Sequence, residues 1–381
     1  MIVVPHRNTT DLRDPRSFDH VGRDVGAKGL VSGRVLADLA DHDERIVAAS
    51  TDLKYVTQLA TFEARHPGRF LQFGIAERNM ITAAAGLATV GLVPYVSTFA
   101  CFSGVLAYEN IRTDLAYPHL QVRVLATHSG IAMGYFGTSH HATEDISALR
   151  AVAGLTVLSP CDAASTEALL RATVDLDGPI YFRLGRGREE DVYDEVPAVY
   201  GPGAPTVVRR GTDAAIMATG LTVGFAVRAA AALAEDGVSA TVVDVHTLKP
   251  FDGDAVADVA AAHPVVVTAE EHNVQGGLGS LVVEALARRG VATPVHSVGL
   301  EDEFSLIGPP AHLYRYYGID PSGIATVARR AVEAGARGST RTTEPLWTDL
   351  DRQAVLREVG ARPSRPTADA PAERDAGAHV G

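Results

Sequence analysis

The sequence predicts an α/β protein of two doubly wound domains with mostly parallel sheets. Short apolar runs typical of strands alternate with helical stretches in two blocks of the chain, as expected for parallel sheets that helices cover on both faces. A segment rich in proline and glycine separates the two blocks. The chain has 381 residues, and a single hydrophobic core rarely extends beyond about 250 residues.

The first block, residues 25–190, predicts the first domain. It opens with a helical pattern at 28–39, and a later helix is predicted to start at Ser159 and Pro160 and to end at Ala172. Serine caps helix N-termini, and proline suits the first helical position. The strand-like runs of this block lie at 45–50, 93–98, 122–127, 156–159 and 180–184.

Residues 191–211 predict an interdomain linker, because they hold three prolines and three glycines and show no periodicity. The block at 212–335 resumes the alternation and predicts the second domain. Its predicted strands are 213–219, 240–245, 264–269 and 295–298, and its predicted helices are 223–234 and 277–288. Residues 1–24 are expected to be a flexible arm and 336–381 a largely disordered tail, in which only 346–359 has a helical pattern.

The composition argues against several functional classes. The net charge of −12 and the lack of a basic stripe argue against a nucleic-acid partner. The N-terminus does not resemble a secretory signal, and the longest nearly apolar run, 83–96, is too short to span a bilayer. Cys101 and Cys161 lack metal or redox spacing. We therefore expect a soluble, cytoplasmic protein that does not associate with membranes.

The segment 70–88 carries the first candidate catalytic group. It reads as a short apolar strand, a glycine turn and an alanine-rich helix with Glu77 in its first turn. The helix dipole favours the ionised carboxylate there, whereas burial against apolar rings would make the group a tunable acid or base. A glutamate at this position is commonly a surface residue that compensates the dipole, so the assignment depends on neighbouring motifs.

Five further motifs follow in order along the chain. They are Pro-Tyr-Val-Ser-Thr-Phe-Ala-Cys-Phe at 94–102, Ala-Tyr-Glu-Asn-Ile-Arg at 107–112, Thr-His-Ser-Gly at 127–130, Gly-Tyr-Phe-Gly-Thr-Ser-His-His-Ala-Thr-Glu-Asp at 134–145 and Gly-Pro-Ile-Tyr-Phe-Arg-Leu-Gly-Arg at 178–186. In this order and at these intervals, residues 25–335 resemble the C-terminal half of transketolase, a thiamine diphosphate enzyme. The likeness is greatest to split transketolases, whose halves are separate polypeptides. It implies a pyrimidine-binding domain followed by a transketolase C-terminal domain.

The resemblance implies three cofactor contacts. Glu77 matches the glutamate that bonds a ring nitrogen of the cofactor's aminopyrimidine and favours its basic imino form. Phe99 matches the aromatic residue that stacks on the pyrimidine, and Phe102 matches a neighbour that lines the same slot. A third aromatic residue usually follows one helical turn later, and this chain has Val105 there.

The resemblance also implies substrate contacts. His140 matches the catalytic histidine that bonds the donor's hydroxymethyl oxygen. His128 and Arg186 match residues that hold the substrate's distal phosphate, a task for which a planar guanidinium group is suited. His141 has no counterpart and is interpreted as structural.

Three departures from the family pattern concern the substrate. Phe136 replaces an aspartate that in the family bonds a hydroxyl group beside the reacting carbonyl. The substrate channel therefore lacks this polar contact and the discrimination between substrates that depends on it. Two further phosphate ligands, an arginine and a serine, fall on Gly29 and Val56. A substrate other than an ordinary sugar phosphate is therefore expected.

The resemblance implies a partner subunit as well. The family's Gly-Asp-Gly motif for the diphosphate and its metal has only one near match, 252–254, which lies in the second block after Pro250. The glycine-rich segment 276–279 is interpreted as a site of close backbone packing. This chain is therefore expected to bind no metal. It should pair with an N-terminal, diphosphate-binding transketolase subunit that holds Mg²⁺, as a heterotetramer of two copies of each.

The implied reaction transfers a two-carbon ketol unit from a ketose-type donor to an aldehyde acceptor, using small sugar or ketone substrates. Two alternatives stay open. One is the β subunit of a 2-oxoacid or acetoin dehydrogenase, which shares the fold and cofactor, although the segment around His140 and the motif at 108–112 fit transketolase better. The other is a non-catalytic regulatory subunit, against which the presence of Glu77 argues.

Overall fold

The computed structural model describes residues 29–336 and 346–360, which form two α/β units. Each unit is built on a mostly parallel sheet, which confirms the predicted fold class. The predicted arm, 1–24, and most of the predicted tail, 336–381, lie outside the described residues.

The first unit contains a seven-stranded sheet. Its strands are β1 (Ile46–Ser50), β2 (Phe70–Gln72), β3 (Val93–Phe99), β4 (Arg123–Thr127), β5 (Thr156–Leu158), β6 (Ile180–Arg183) and β10 (Thr247–Lys249). The order across the sheet is β10-β5-β6-β4-β3-β1-β2, and every neighbouring pair is parallel except β10 with β5. Strands β1, β3, β4 and β6 are buried at every position, as helices on both faces require.

The second unit contains a five-stranded sheet. Its strands are β7 (Thr206–Arg209), β8 (Ala214–Ala218), β9 (Ala240–Asp244), β11 (Val266–Asn273) and β12 (Val295–Leu300). The order is β12-β11-β8-β9-β7, and only β7 runs antiparallel to its neighbour. β7 lies inside the segment 191–211, which was predicted to be a linker throughout. The prolines before β7 are compatible with its position at the edge of the sheet. Proline has no N–H group, and on the outer side of an edge strand such a group would bond no neighbouring strand.

Helices connect and cover the strands. They are α1 (Ser32–Ala40), α2 (Ala60–Arg65), α3 (Glu77–Thr89), α4 (Tyr108–Asn110), α5 (Asp145–Arg150), α6 (Ala163–Ala172), α7 (Thr222–Glu235), α8 (Gly253–Ala261), α9 (Leu278–Arg289), α10 (Pro310–Tyr316), α11 (Pro321–Ala336) and α12 (Asp349–Glu358). Two π-helical turns, Cys101–Leu106 and Ile111–Ala116, flank α4.

Two helices start later than the sequence predicted. Gly29 has the left-handed φ of 78°, and α1 begins only at Ser32. The N-cap residue of α6 is Asp162 and not Ser159. Its carboxylate accepts from the Ser165 N–H over 2.8 Å, while the Ser165 Oγ accepts from the Asp162 N–H over 3.0 Å. This reciprocal capping box satisfies two N–H groups, which a serine cap at 159 would not reach.

A buried ion pair of the first unit also contacts the second unit. The Arg183 Nε donates to both carboxylate oxygens of Asp145, at 3.1 and 3.0 Å, and the two side chains are 2% and 0% exposed. The Tyr181 hydroxyl also donates to Asp145 over 3.0 Å. The Arg183 Nη2 donates to the carbonyl of Ala142 over 3.2 Å and to that of Glu271, in the second unit, over 2.8 Å. One guanidinium group therefore connects β6, the start of α5 and β11.

The variant Asp145→Asn should lower the free energy of unfolding by about 3–5 kcal/mol, because it leaves the Arg183 guanidinium buried without a counter-charge. Chemical denaturation of the full-length chain measures this. Asp254→Asn is the matched control, since its carboxylate pairs with Arg289 at the surface and should contribute little. Equal effects of the two variants would contradict a central role for the buried pair.

Candidate active site

The predicted site residues lie at one edge of the first sheet. Phe99 ends β3, His128 follows β4 and Arg186 follows β6, and these three strands are neighbours in the sheet. Glu77 opens α3 after the edge strand β2. The carboxyl ends of parallel strands meet at this edge, which is where ligand sites of such sheets form. The fold thus brings together residues that are far apart in sequence.

Glu77 is the first residue of α3, as predicted, and its side chain is buried, with 7% exposed. Within the part of the chain that the structure describes, its carboxylate makes no hydrogen bond or ion pair. The Glu77 carboxylate lies near enough to the Cys101 thiol to affect its pKa. Burial raises that pKa to about 12, and the charges of Asp145 and Glu77 make smaller contributions. A buried carboxylate without a protein partner is suited to receive a hydrogen bond from a ligand.

Five of the predicted residues form one aromatic cluster. The rings of Phe99 and Phe102 are stacked, with centroids 5.8 Å apart and planes at 24°. The imidazole of His128 lies 4.4 Å from the Phe99 ring. His140 lies 5.3 Å from Phe102 and 4.9 Å from Phe136. The cluster gives the site an apolar wall with two imidazole groups on it, an arrangement that can hold a planar ring and bond polar atoms beside it.

His128 is held in a strained and neutral state. Its φ of 57° is left-handed, which is uncommon for a residue with a side chain and is found at functional sites. Its N–H donates to the carbonyl of Gly185 over 2.9 Å, and its Nδ1 lies 3.0 Å from the Thr127 Oγ1. Burial, together with the positive charges of Arg186 and Arg188, lowers the pKa of His128 to about 3. The imidazole is therefore uncharged at neutral pH.

His140 is partly buried at the end of a 3₁₀ turn, Gly137–His140. Its Nδ1 lies 2.9 Å from the Ser139 Oγ. Burial lowers the pKa of His140 below its ordinary value, which favours the neutral ring. One ring nitrogen then donates and the other accepts, and His140 can exchange a proton with a substrate hydroxyl group.

Glu189 is a site residue that the sequence analysis missed. Its carboxylate accepts from the N–H groups of Arg186, over 2.6 Å, and Gly187, over 3.0 Å. A Cβ atom added at Gly185 would lie 1.9 Å from Glu189 Oε1, so the tight turn requires glycine there. Burial raises the pKa of Glu189. The two glycines around Arg186 were the sequence signal for this turn, but nothing in their spacing identified the carboxylate.

The structure shows the surroundings of the residues that differ from the family pattern. Phe136 is 52% exposed at the rim of the aromatic cluster. A Cβ atom added at Gly187 would lie 3.0 Å from the carbonyl carbon of Gly29. Gly29 therefore lies beside the turn that carries Arg186 but offers no side chain to a ligand. Val56 and Val105 are both exposed.

The glycine-rich segment before α9 is a packing site, as predicted. A Cβ atom added at Gly279 would lie 2.4 Å from the Ser297 Oγ, and one at Gly277 would lie 1.9 Å from Glu270 Oε2. The Glu270 carboxylate accepts from the N–H groups of Leu278, over 2.7 Å, and Gly279, over 2.9 Å. The protein's own carboxylate thus takes the position that a phosphate would need.

The segment 252–254, which is the near match to the family's Gly-Asp-Gly metal motif, has a structural role at the start of α8. Asp252 caps α8 by accepting from the Ala255 N–H over 2.9 Å. Within residues 29–336 and 346–360, no group of three or more histidine, cysteine, aspartate or glutamate side chains is arranged to hold a metal ion.

The helices within these residues are all too short or too polar to cross a membrane.

Two protein-family models match the chain. The model of the transketolase pyrimidine-binding domain matches residues 27–189, and that of the transketolase C-terminal domain matches residues 203–324.

Two relatives and a solved structure agree with these matches. One of the subunits of the apulose-4-phosphate transketolase of Phocaeicola vulgatus is 36% identical over 298 residues, which cover 78% of this chain and 95% of the relative. A 6-deoxy-6-sulfo-D-fructose transketolase subunit of Clostridium sp. is 36% identical over 299 residues, which cover 78% and 92%. A split-gene transketolase, solved as an inactive β4 tetramer, is 38% identical with a TM-score of 0.71, covering 79% of this chain and 96% of that chain.

His128 should stay uncharged from about pH 5 to 8, because its pKa of about 3 lies well below this range. Imidazole ¹⁵N chemical shifts of the full-length labelled chain measure its charge. The variant His128→Asn identifies the signals, since asparagine tolerates the left-handed backbone better than most residues. Titration of His128 near the ordinary histidine pKa of about 6.5 would show that burial does not control the ring.

Proposed function

The chain belongs to the transketolase family, and we propose that it is the pyrimidine-binding subunit of a two-component, thiamine diphosphate-dependent enzyme. The enzyme transfers a two-carbon ketol unit from a ketose-type donor to an aldehyde acceptor. The observation that carries this proposal is the convergence of the buried, unpartnered Glu77 carboxylate and the Phe99–Phe102 stack at the edge of one parallel sheet.

The residues at this edge fit the pyrimidine ring of thiamine diphosphate. When bound, this cofactor supplies a carbon nucleophile that the protein's side chains lack. The Glu77 carboxylate would bond a pyrimidine ring nitrogen, and the Phe99 and Phe102 rings would pack against the ring face. Because the Glu77 side chain is only 7% exposed and lacks a partner among the described residues, its carboxylate would be available to accept a hydrogen bond from a pyrimidine ring N–H group.

The substrate would lie along the aromatic wall. His140, which lies against the Phe102 and Phe136 rings, would bond the donor's hydroxymethyl oxygen and hold or release a proton there. Arg186 would hold a distal anionic group with its planar guanidinium, and the neutral His128 would donate a hydrogen bond to the same group. Two relatives are named for a phosphorylated ketose and a sulfonated ketose, which supports a donor of this class with an anionic end.

A partner subunit would supply Mg²⁺ and the ligands of the diphosphate. The described residues contain no cluster suited to a metal. The chain matches 95% of the length of the Phocaeicola vulgatus relative, whose own name makes it one subunit of its enzyme. The split-gene structure is of an inactive tetramer of β chains, which is the behaviour expected of a subunit that lacks half of its site. We propose a heterotetramer with two copies of each subunit.

A second candidate is the use of a 2-oxoacid donor, as in the β subunits of 2-oxoacid or acetoin dehydrogenases. Phe136 is the observation that favours it. A phenyl ring at the rim of the cluster packs against carbon and cannot bond a hydroxyl group, so it suits a donor with fewer hydroxyls than a ketose phosphate. A non-catalytic role is disfavoured, because a subunit without chemistry gains nothing from a buried, unpartnered Glu77 carboxylate.

The chain alone should be inactive, and the complex with its partner should cleave donors in the presence of thiamine diphosphate and Mg²⁺. In this complex Glu77→Gln should reduce kcat by far more than tenfold, because an amide cannot favour the imino form as a carboxyl group does. Stopped assays of ketol transfer with both subunits measure this. Glu235→Gln, at the exposed end of α7, is the matched control and should retain full activity.

Turnover by the isolated chain would contradict the two-component proposal. A Glu77→Gln complex that kept more than about a tenth of the wild-type kcat, a loss below ~1.4 kcal/mol, would remove Glu77 from the activating role.

Phe136 should control the choice of donor. Phe136→Asp should raise kcat/KM for a ketose phosphate by about tenfold relative to a less hydroxylated donor such as a 2-oxoacid, because an aspartate can bond the donor's hydroxyl group. Phe136→Leu is the control, since it removes the ring without adding a polar group. Efficient use of xylulose 5-phosphate by the wild-type complex, relative to the less hydroxylated donor, would show that Phe136 does not select the substrate.

A further inference from the structure

The segment 130–144, named the histidine loop because it carries His140, is anchored at its base by the second unit. The Ile131 N–H donates to Glu271 Oε1 over 2.9 Å. At the other end of the loop, the Asn273 N–H donates to the carbonyl of Thr143 over 2.9 Å. Both anchors belong to the end of β11, so one strand of the second sheet holds both ends of the loop.

The middle of the histidine loop packs against residues 305–308 of the second unit. The Gly308 N–H donates to the carbonyl of Gly134 over 3.0 Å. A Cβ atom added at Gly134 would lie 2.3 Å from the Gly308 carbonyl oxygen, and one added at Gly137 would lie 2.8 Å from the Ile307 side chain. These distances leave no room for a side chain at either glycine, so the two segments are in close contact.

The contact next to His140 is the most direct one. The side chain of His141 is buried, and its Nδ1 is hydrogen-bonded to the Ser305 Oγ of the second unit. Among the described residues, His140 itself has only the Ser139 hydroxyl as its hydrogen-bond partner, together with its ring contacts. The second unit therefore contacts the chain on both sides of His140, at Gly137 through close packing with Ile307 and at His141 through a side-chain hydrogen bond to Ser305.

We propose that the second unit positions His140 for the reaction, with Ser305 as a positioning residue that acts through His141 without contacting substrate. This inference rests on the proposed function, which assigns His140 to the donor. Gly130 and Gly137 have left-handed φ values of 59° and 71°, and a glycine-containing loop loses much backbone freedom when it is ordered. External contacts must supply that order, since a group that transfers a proton has to lie within hydrogen-bond reach of its target.

The first test measures loop order without any catalytic assay. Amide hydrogen exchange of the full-length chain should be about tenfold faster in the histidine loop of Ser305→Ala than in the wild type, and Ser305→Thr should restore part of the protection. Ser297→Ala is the matched control, because its hydroxyl bonds Thr268 within the second unit. It should leave exchange in the histidine loop unchanged.

The second test uses the assembled enzyme. Ser305→Ala should lower kcat for ketol transfer by about fivefold, the effect expected when one ordinary hydrogen bond no longer holds the productive geometry. The concentration of thiamine diphosphate for half-maximal activity should not change, since the Glu77 and Phe99 contacts lie outside the loop. Ser305→Thr should recover kcat, and Ser297→Ala should match the wild type.

Faster exchange together with a lower kcat would support the proposal. Unchanged exchange in Ser305→Ala would overturn it, and so would faster exchange with an unchanged kcat, because the contact would then be structural only. If amide hydrogens in the histidine loop of the wild-type complex are protected from exchange but the complex transfers no ketol unit, the proposed function would be disproved instead. The exchange data would in that case still decide whether the second unit orders the loop.

Discussion

Arg183 is the group on which the arrangement of the two units depends. It lies at the end of β6, and its guanidinium binds the Asp145 carboxylate at the start of α5 and the carbonyl of Glu271 in β11. Moving a guanidinium from water into a protein interior costs several kcal/mol unless its N–H groups find partners and a counter-charge. These partners come from both units, so the ion pair is satisfied only when the units are docked in one way.

Burial favours the neutral forms of two other ionisable groups at this junction. It raises the pKa of Glu271 from about 4.5 to about 8 and lowers that of His272 to about 4. Glu271 is then protonated at neutral pH, and its Oε1 accepts from the Ile131 N–H and from the Tyr314 hydroxyl. Because its folded-state pKa is raised, its contribution to stability is present at low pH and is lost as the pH rises from about 4.5 to about 8. The ion pair of Arg183 and Asp145 thus has two neighbours whose neutral forms burial favours.

The sequence predicted the secondary structure that carries the candidate site residues. Glu77 opens a helix, as the strand, glycine turn and alanine-rich pattern indicated, and Phe99 and His128 lie at the ends of predicted strands. These assignments succeed because helix starts and buried parallel strands have strong local patterns. The predicted boundaries of helices and strands were less accurate where two local sequence signals competed. Asp162 took the cap that was predicted for Ser159, and β7 formed at an edge inside a segment predicted as a linker.

The sequence by itself determined the α/β alternation, the order of the motifs and the start of the helix that carries Glu77, since these depend on neighbours within a few positions of the chain. Only the tertiary structure decided which residues support the site from a distance. Ser305 and Glu271 hold the histidine loop from the second unit. Such contacts join residues up to 164 positions apart, and no periodicity encodes them, because they form only once burial brings the two sheets together.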